Sequence, residues 1–417
     1  MRSPWLAFIE SNTSGTGRLF ARIAAREGFR PVLLAEDAAR YRYAYEDGLT
    51  VIRVNTQDVQ DTLAACRSLA SDGGLAGVTS SSEYFIEMAG KVARRLNLFG
   101  PRPEAVRACR DKLSQRICLQ RAGIGVPRFI PADSPDAAIE AAEALGLPVV
   151  LKPVSGSGSV GVKMCERLDE VRAHAAALLR QSVNERGLPV PRRILVEEMA
   201  LGPEYSVESF GRIVVGVTQK HLGPLPDFVE VGHDFPALLS HGIESAVEQT
   251  TIRALDALGL AWGPSHCELR LTDQGPKIIE VNPRLAGGYI PELVRLACGI
   301  DMLAETIKLV VGRQPELRRT MNRHTSIRFI IPDEDGVLVR ADGLDEAEQS
   351  DGIVEARLYS PIGTPLRRYS DFRARVGHVI AAADSAESSR AMAEKARGKI
   401  SLVIEPEFNE ITSQAAQ

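Results

Sequence analysis

The sequence predicts a multi-lobed fold of mixed α/β and α+β type, and three observations carry that prediction. The 417 residues exceed what one hydrophobic core ordinarily organises, so roughly two to four lobes are expected. The opening stretch reads strand, Gly-containing loop, helix, strand, which is the start of a Rossmann-like βαβ unit. Towards the end, short strands over 325–331, 352–359 and 376–382 alternate with turns, and a helix over 387–399 and a strand over 401–404 follow. That is the pattern of a small α+β lobe.

The first lobe begins with an apolar strand over 5–10 and the loop Ser11-Asn12-Thr13-Ser14-Gly15-Thr16-Gly17, then a helix over 19–27 and a strand over 31–35. Gly15 and Gly17 match two glycines of a dinucleotide fingerprint, but Phe20 stands where the third belongs. A small-ligand or packing role is therefore expected in place of dinucleotide binding. A strand over 77–79 runs into Ser80-Ser81-Ser82-Glu83 and an amphipathic helix through Leu96. Ser14 and Ser80 to Ser82 read as substrate contacts or helix caps, not as nucleophiles. Pro101-Arg102-Pro103 closes this lobe.

A helix over 103–122, with Asp111-Lys112 in its middle, opens the next part and stops at Gly123. A helix over 137–145 ends at Gly146. The strand over 149–152 leads into Ser155-Gly156-Ser157-Gly158-Ser159-Val160-Gly161, and a return strand over 162–165 makes that loop a hairpin tip. Its Gly and Ser residues let backbone N–H groups converge on a phosphate without Cβ obstruction. It is not a Walker loop, because Lys152 precedes the glycines and no Gly-Lys-Ser/Thr opens a helix after them. Strands follow over 194–199, from Glu204 after Gly202-Pro203, and over 214–219, then Phe228-Val229-Glu230-Val231-Gly232-His233. A helix capped by Gly259 delivers the chain to a hairpin. The expected division is 1–103, 104–192, 193–315 and 316–417, with a polar, frayed tail after Pro406.

Bulk properties exclude several classes. A hydrophobic content of 44% with 25% charged residues describes a soluble globular protein. A net charge of −4 gives no global pull towards nucleic acid or anionic membrane. No apolar run reaches the length of a membrane helix, and the N-terminus turns polar too soon for a secretory signal. The six cysteines are scattered without a CxxC pair, which points to free thiols and a cytoplasmic location. His266 and Cys267 are adjacent, but on a strand they point to opposite faces.

The stretch from Ser265 to Gly288, SHCELRLTDQGPKIIEVNPRLAGG, concentrates the chemistry. It reads as two strands joined by Asp273-Gln274-Gly275-Pro276. A hairpin symmetric about Gln274 sets Thr272 opposite Pro276, Arg270 opposite Ile278 and Glu268 opposite Glu280. Directly opposed carboxylates repel by about 3 kcal/mol at an effective dielectric near 20. A cation is therefore expected between them. Asn282 shares a face with Glu280, and Arg284 lies just beyond. Hard oxygen donors of this kind suit magnesium, which usually binds substrate phosphates as well.

The order of these pieces resembles the ATP-grasp superfamily over nearly the whole chain. The matches are Arg110-Asp111-Lys112, Leu151-Lys152-Pro153, Glu197-Glu198-Met199 with Gly202-Pro203-Glu204, and Glu280-Val281-Asn282-Pro283-Arg284. Ile9-Glu10-Ser11-Asn12 and the 228–233 stretch look like the amino-acid ligase branch. The resemblance implies an ATP-grasp fold with a Rossmann-like pre-ATP-grasp domain, a lid subdomain over 104–192 and a core over 193–315. It implies ATP and magnesium as cofactors, with manganese able to substitute. Lys112 and Lys152 would bind phosphates under the lid formed by Ser155, Gly156, Ser157, Gly158, Ser159 and Gly161. Glu197, Glu198, Met199 and Ala200 would border the adenine and Glu204 the ribose.

By the same resemblance, Glu268, Glu280 and Asn282 would hold the metal. Arg284, with Lys152, would steady the transferring phosphoryl group. Glu230 and His233 would line an amino-acid pocket made roomy by Gly287 and Gly288. The implied activity is an ATP-dependent carboxylate–amine ligase acting on small-molecule carboxylate and amine substrates through an acyl phosphate. Homodimers are common among such relatives. The alternatives are a biotin-carboxylase-like or purine-pathway ATP-grasp reaction, and a nucleotide-binding module without catalysis.

Overall fold

In the computed structural model of the chain, which describes residues 3–13, 15–184 and 186–406, the opening unit grows into a four-stranded parallel sheet. Its order is Thr50–Arg53, Arg30–Ala35, Trp5–Ile9, Leu75–Thr79. Leu6 and Phe8 face one apolar cluster while Trp5, Ala7 and Ile9 face another, as a parallel strand covered on both sides requires. The strand order reverses between Trp5–Ile9 and Leu75–Thr79, so the loops after these strands share a crevice. There the Ser11 and Ser81 hydroxyls meet at 2.5 Å. Gly17 lies against the Asn12 carbonyl with no space for a side chain, and Phe20 is core. Both are packing roles.

A second sheet is antiparallel, in the order Phe129–Ala132, Ile194–Glu198, Val149–Pro153, Lys163–Cys165. Helices Pro135–Leu145 and Leu168–Leu179 cover it with Ala138, Ala142, Val171 and Ala175. The Gly-Ser loop joins two of its strands as a hairpin tip.

The largest sheet has eight antiparallel strands. Gly275–Asn282 is one edge, followed by Pro264–Thr272, Glu204–Phe210, Ile213–Leu222, Glu230–Phe235, His324–Ile330, Gly377–Ala383 and Ile353–Leu358. The last lobe therefore joins the central sheet, through pairs such as His233 with Ile327. A cut at 315/316 runs through a continuous sheet. Phe8 and Phe20 of the first lobe share one apolar cluster with Leu293, Ile307 and Ile327, which ties the parallel sheet to the large one. The six cysteines are free. Among the described residues no helix is long and apolar enough to cross a membrane. Ser14 and the tail after Pro406 lie outside the described residues.

Two sequence expectations change. The helix predicted over 103–122 is two helices, Pro103–Arg110 and Lys112–Arg121, broken at Asp111. Asp111 is extended, and its carboxylate accepts the Ser114 N–H at 2.6 Å as an N-cap. The Lys112 N–H leaves the helical pattern and donates to the Val154 carbonyl at 2.7 Å. The hairpin register also differs near its turn: Thr272 pairs with Gly275 and Arg270 with Lys277, one residue tighter than symmetry about Gln274 gives. A bulge at Ile279 restores the count, so Glu268 does face Glu280. The bulge also explains how Ile278 and Val281, three residues apart, both reach the core.

Candidate active site

The parallel sheet, the four-stranded antiparallel sheet and the large sheet enclose one cleft of about 1530 Å³. Single small-molecule sites typically span about 300–1,000 Å³, so this one has room for more than one ligand. All the predicted site residues line it except Ser155, Gly161 and His233.

At the lid end, two lysines are buried. The break at Asp111 turns Lys112 inward, where its Nζ lies 2.8 Å from Glu280 Oε1 and 2.9 Å from the Gly156 carbonyl. Lys152 Nζ sits 2.5 Å from Glu197 Oε2. Burial pulls the Lys152 ammonium down to about 8, against the opposing pull of Glu197. Glu197 is not an open wall of the site. It is buried, and it also accepts from Arg116 Nε at 2.6 Å, while Arg116 Nη2 donates to the Ile279 carbonyl freed by the bulge, at 2.5 Å. The tip of the Gly-Ser hairpin is held from both sides. Ser157 hydrogen-bonds Glu83 of the first lobe, and the Phe372 N–H donates to the Gly158 carbonyl at 3.3 Å.

The opposed carboxylates of the hairpin are compensated by cations of the chain itself, which corrects the expectation that they need a bound ion to coexist. Glu280 has Lys112. Glu268 Oε1 accepts from Lys220 Nζ at 2.7 Å and from His266 Nε2 at 3.0 Å. Lys220, two strands away on Ile213–Leu222, also reaches Glu230 at 2.7 Å and Glu204 at 3.0 Å. Burial works against the charges here, but Lys220 holds Glu268 far below the usual carboxylate range, and Glu230, Glu268 and Glu204 hold Lys220 well above its ordinary value. His266 behaves likewise: burial disfavours its cation, yet Glu208 and Glu268 push it up to about 9.

The donors still fit a metal. Two carboxylates opposed in register and the Asn282 amide on the same strand suit a magnesium ion that keeps waters and phosphate oxygens in its shell. Among the described residues no three or more His, Cys, Asp and Glu side chains form an all-protein cage.

Residues 198–200, expected to border the adenine, form one wall of the cleft. Glu198 is paired with Arg128 at 2.6 Å and Lys277 at 2.7 Å, and the Ala200 carbonyl accepts from Arg270 Nη1 at 3.1 Å. Arg270 also pairs with Glu204 at 3.1 Å.

The predicted amino-acid pocket differs from expectation in detail. Glu230 faces the cleft but is engaged by Lys220 and by Arg375, an ion pair that spans to the last lobe. His233 is fully buried behind Gly288, with its Nε2 3.5 Å from Glu230, and burial lowers its basicity. Gly288 is not a source of room: a Cβ there would come within 2.6 Å of His233 Nε2, and its φ is +58°. Gly287 faces open space. Arg284 donates from Nε to Glu83 at 2.6 Å, crossing to the first lobe. Sequence reasoning missed Lys220, Glu83, Arg116 and Arg375. Two carried a signal: Thr218 and Lys220 alternate with Val215 and Val217, and Glu83 follows a parallel strand at a switch point.

Comparison with known proteins bears on the family and the fold. Residues 145–292 match the ATP-grasp domain, and residues 328–405 match the L-amino acid ligase C-terminal domain 2. The protein y4rH of Sinorhizobium fredii is 38% identical over 403 residues, covering 97% of this chain and 84% of that protein. Carnosine synthase 1 of Gallus gallus is 30% identical over 242 residues, 54% of this chain but only 26% of the relative. The crystal structure of L-amino acid ligase from Bacillus licheniformis superposes with a TM-score of 0.80 over 97% of this chain and 100% of that one, at 22% identity, so it shares the fold. The chain belongs to the ATP-grasp superfamily, in the L-amino acid ligase branch of carboxylate–amine ligases.

Proposed function

We propose that the cleft phosphorylates the carboxylate of an amino acid with ATP, giving an acyl phosphate, and passes the acyl group to an amine. The products are an amide or dipeptide, ADP and phosphate. The observation that carries this reading is the convergence of Lys112, Lys152, Arg284, Glu268 and Glu280 on one cleft roofed by a Gly-Ser hairpin. A carboxylate is too poor an electrophile for an amine at neutral pH, so it must first gain a leaving group.

In this reading Lys112 and Lys152 neutralise the triphosphate, exchanging contacts with Glu280 and Glu197 for phosphate oxygens. Residues 198–200 border the adenine and Glu204 receives the ribose hydroxyls. Arg284, oriented by Glu83, steadies the phosphoryl group in flight and the acyl phosphate it leaves. Ser157 and Gly158, pinned to two lobes, keep water from the activated acyl group. Glu268, Glu280 and Asn282 would hold magnesium, which when bound would neutralise negative charge on the phosphates. No Ser or Cys nucleophile is required. The domains proposed at 1–103, 104–192, 193–315 and 316–417 then supply crevice, lid, metal site and outer wall. Free thiols favour the cytoplasm.

The test is phosphate release from ATP across pairs of the standard amino acids, with mass spectrometry of the products. Hydroxylamine is added in a parallel series to trap the activated acyl group as a hydroxamate. Amino-acid-dependent phosphate with a matching amide or hydroxamate is expected. Phosphate release that depends on bicarbonate, or on no amino acid, overturns the reading.

A further inference from the structure

The acidic side chains around the cleft are nearly all matched by cations. Among the described residues, each one lining it lies within 3.0 Å of a Lys or Arg, with two exceptions. Asp301 caps the helix Met302–Val310, accepting from the Leu303 and Ala304 N–H groups. Glu355 has no such employment. It stands on the edge strand Ile353–Leu358, and its nearest Lys or Arg is Arg357, 3.8 Å away and 61% exposed. A pair of that kind is weak.

Glu355 is nonetheless built into place. Its Oε2 accepts from His378 Nε2 at 3.3 Å, and His378 is fully buried. A carboxylate can only accept, so Nε2 is the donor, and the Tyr359 hydroxyl hydrogen-bonds the other ring nitrogen, Nδ1, at 2.8 Å. The Tyr359 ring lies parallel to Tyr289, 6.1 Å between centroids, and Tyr289 packs on His378 at 4.3 Å. Tyr289 is held at φ +61°, a left-handed conformation that bulky residues rarely adopt. It follows Gly288, which is wedged against His233 and Arg375 beside Glu230. The His378 hydrogen bond keeps the Glu355 carboxyl below its usual range, so it is ionised at neutral pH.

We propose that Glu355, Tyr289 and Tyr359 form a subsite for an organic cation, an ammonium or guanidinium carried by an amino-acid substrate. A carboxylate beside tyrosine faces attracts such a group through charge and through the ring quadrupoles. Glu230, which the family resemblance places in the amino-acid pocket, already faces Lys220 and Arg375. This subsite deepens the ligase reading and rests on it.

The test compares wild type with Glu355→Gln and Tyr359→Leu. KM is measured for each accepted amino acid in ATP-dependent phosphate release, and arginine and its neutral isostere citrulline are titrated calorimetrically with ADP and magnesium present. If the cation is a side chain, Glu355→Gln weakens arginine or lysine about tenfold, a change of about 1.4 kcal/mol, and leaves citrulline and neutral substrates unchanged. If it is the α-ammonium, the substitution raises KM about tenfold for every substrate in one of the two positions. In both cases KM for ATP and the melting temperature stay at wild-type values, and Tyr359→Leu weakens the same substrates. Unchanged KM and arginine affinity in a folded Glu355→Gln variant overturn the subsite. Glu355-dependent arginine binding by a wild type that forms no amide overturns the ligase reading and leaves the subsite standing.

Discussion

Lys112 Nζ stands 2.8 Å from Glu280 Oε1, and it reaches that position only because the chain leaves helical geometry at Asp111. One buried ammonium thus links the helix that opens the lid region to the acidic edge strand of the large sheet. The same Nζ touches the Gly156 carbonyl, so the lid shares the link.

Replacing Glu280 with Ala removes one of the two opposed carboxylates proposed for the metal. Its side chain is partly exposed and its partner Lys112 can turn to solvent or phosphate, so the fold is expected to survive. Turnover is expected to fall by at least about 100-fold, the scale seen when one charge-stabilising group is lost from an active site. Circular dichroism and phosphate release on the same preparation check both halves. Amide formation at the normal rate would count directly against the metal assignment.

Lys220 carries the largest structural consequence. It contacts Glu204, Glu230 and Glu268 from one buried position. Lys220→Met leaves Arg270, Arg375 and His266 to compensate those three carboxylates, without the ion they share. Removing one partner from a buried ionic cluster costs about 3–5 kcal/mol. Urea unfolding should show a loss of that order; a loss under about 0.5 kcal/mol would mean that the network relaxes freely.

Glu280 was legible in the sequence because strand alternation encodes a face, and the facing of Glu268 and Glu280 survived a wrong turn length. The tighter turn and the Ile279 bulge offset each other, and neither leaves a mark in the hydrophobic pattern. Lys220 was not legible as part of the site, because its partners come from three other strands. The break at Asp111 was hidden for a similar reason: it is fixed by a bond from Lys112 to Val154, a residue of another element, with no Gly or Pro to announce it. The joining of the last lobe to the central sheet also depends on a pairing across about ninety residues that periodicity does not contain.

The Lys152 ammonium gives a pH dependence with a definite sign. Burial brings it from an ordinary 10.5 down to about 8. Above pH 8 the folded enzyme loses this charge, so KM for ATP is expected to rise on the alkaline side with an apparent midpoint near 8. Lys152→Arg, whose guanidinium stays charged, should flatten that limb whatever it does to the maximal rate. The linked effect on folding runs the other way. Between about 8 and 10.5 the unfolded chain binds the proton that the folded one has released, so this group's contribution to stability becomes more favourable as pH rises. An ATP KM that is flat from pH 7 to 9.5 would remove Lys152 from the phosphate site.

The adjacent glycines 287 and 288 separate room from contact. A methyl group on Gly287 meets nothing within 4 Å, while on Gly288 it meets His233 Nε2 at 2.6 Å, on a backbone with φ +58°. Gly287→Ala is expected to change stability by no more than about 0.5 kcal/mol. Gly288→Ala combines a left-handed alanine with a clash against a buried ring, and a loss of about 1–3 kcal/mol follows from the backbone alone. Because His233 and Arg375 flank that position, the same substitution should also raise KM for the amino acid more than for ATP. Thermal melts and substrate titrations on the two variants decide the matter. Equal tolerance at both positions would show that His233 can move aside, and Gly288 would then be free to vary with the size of the substrate.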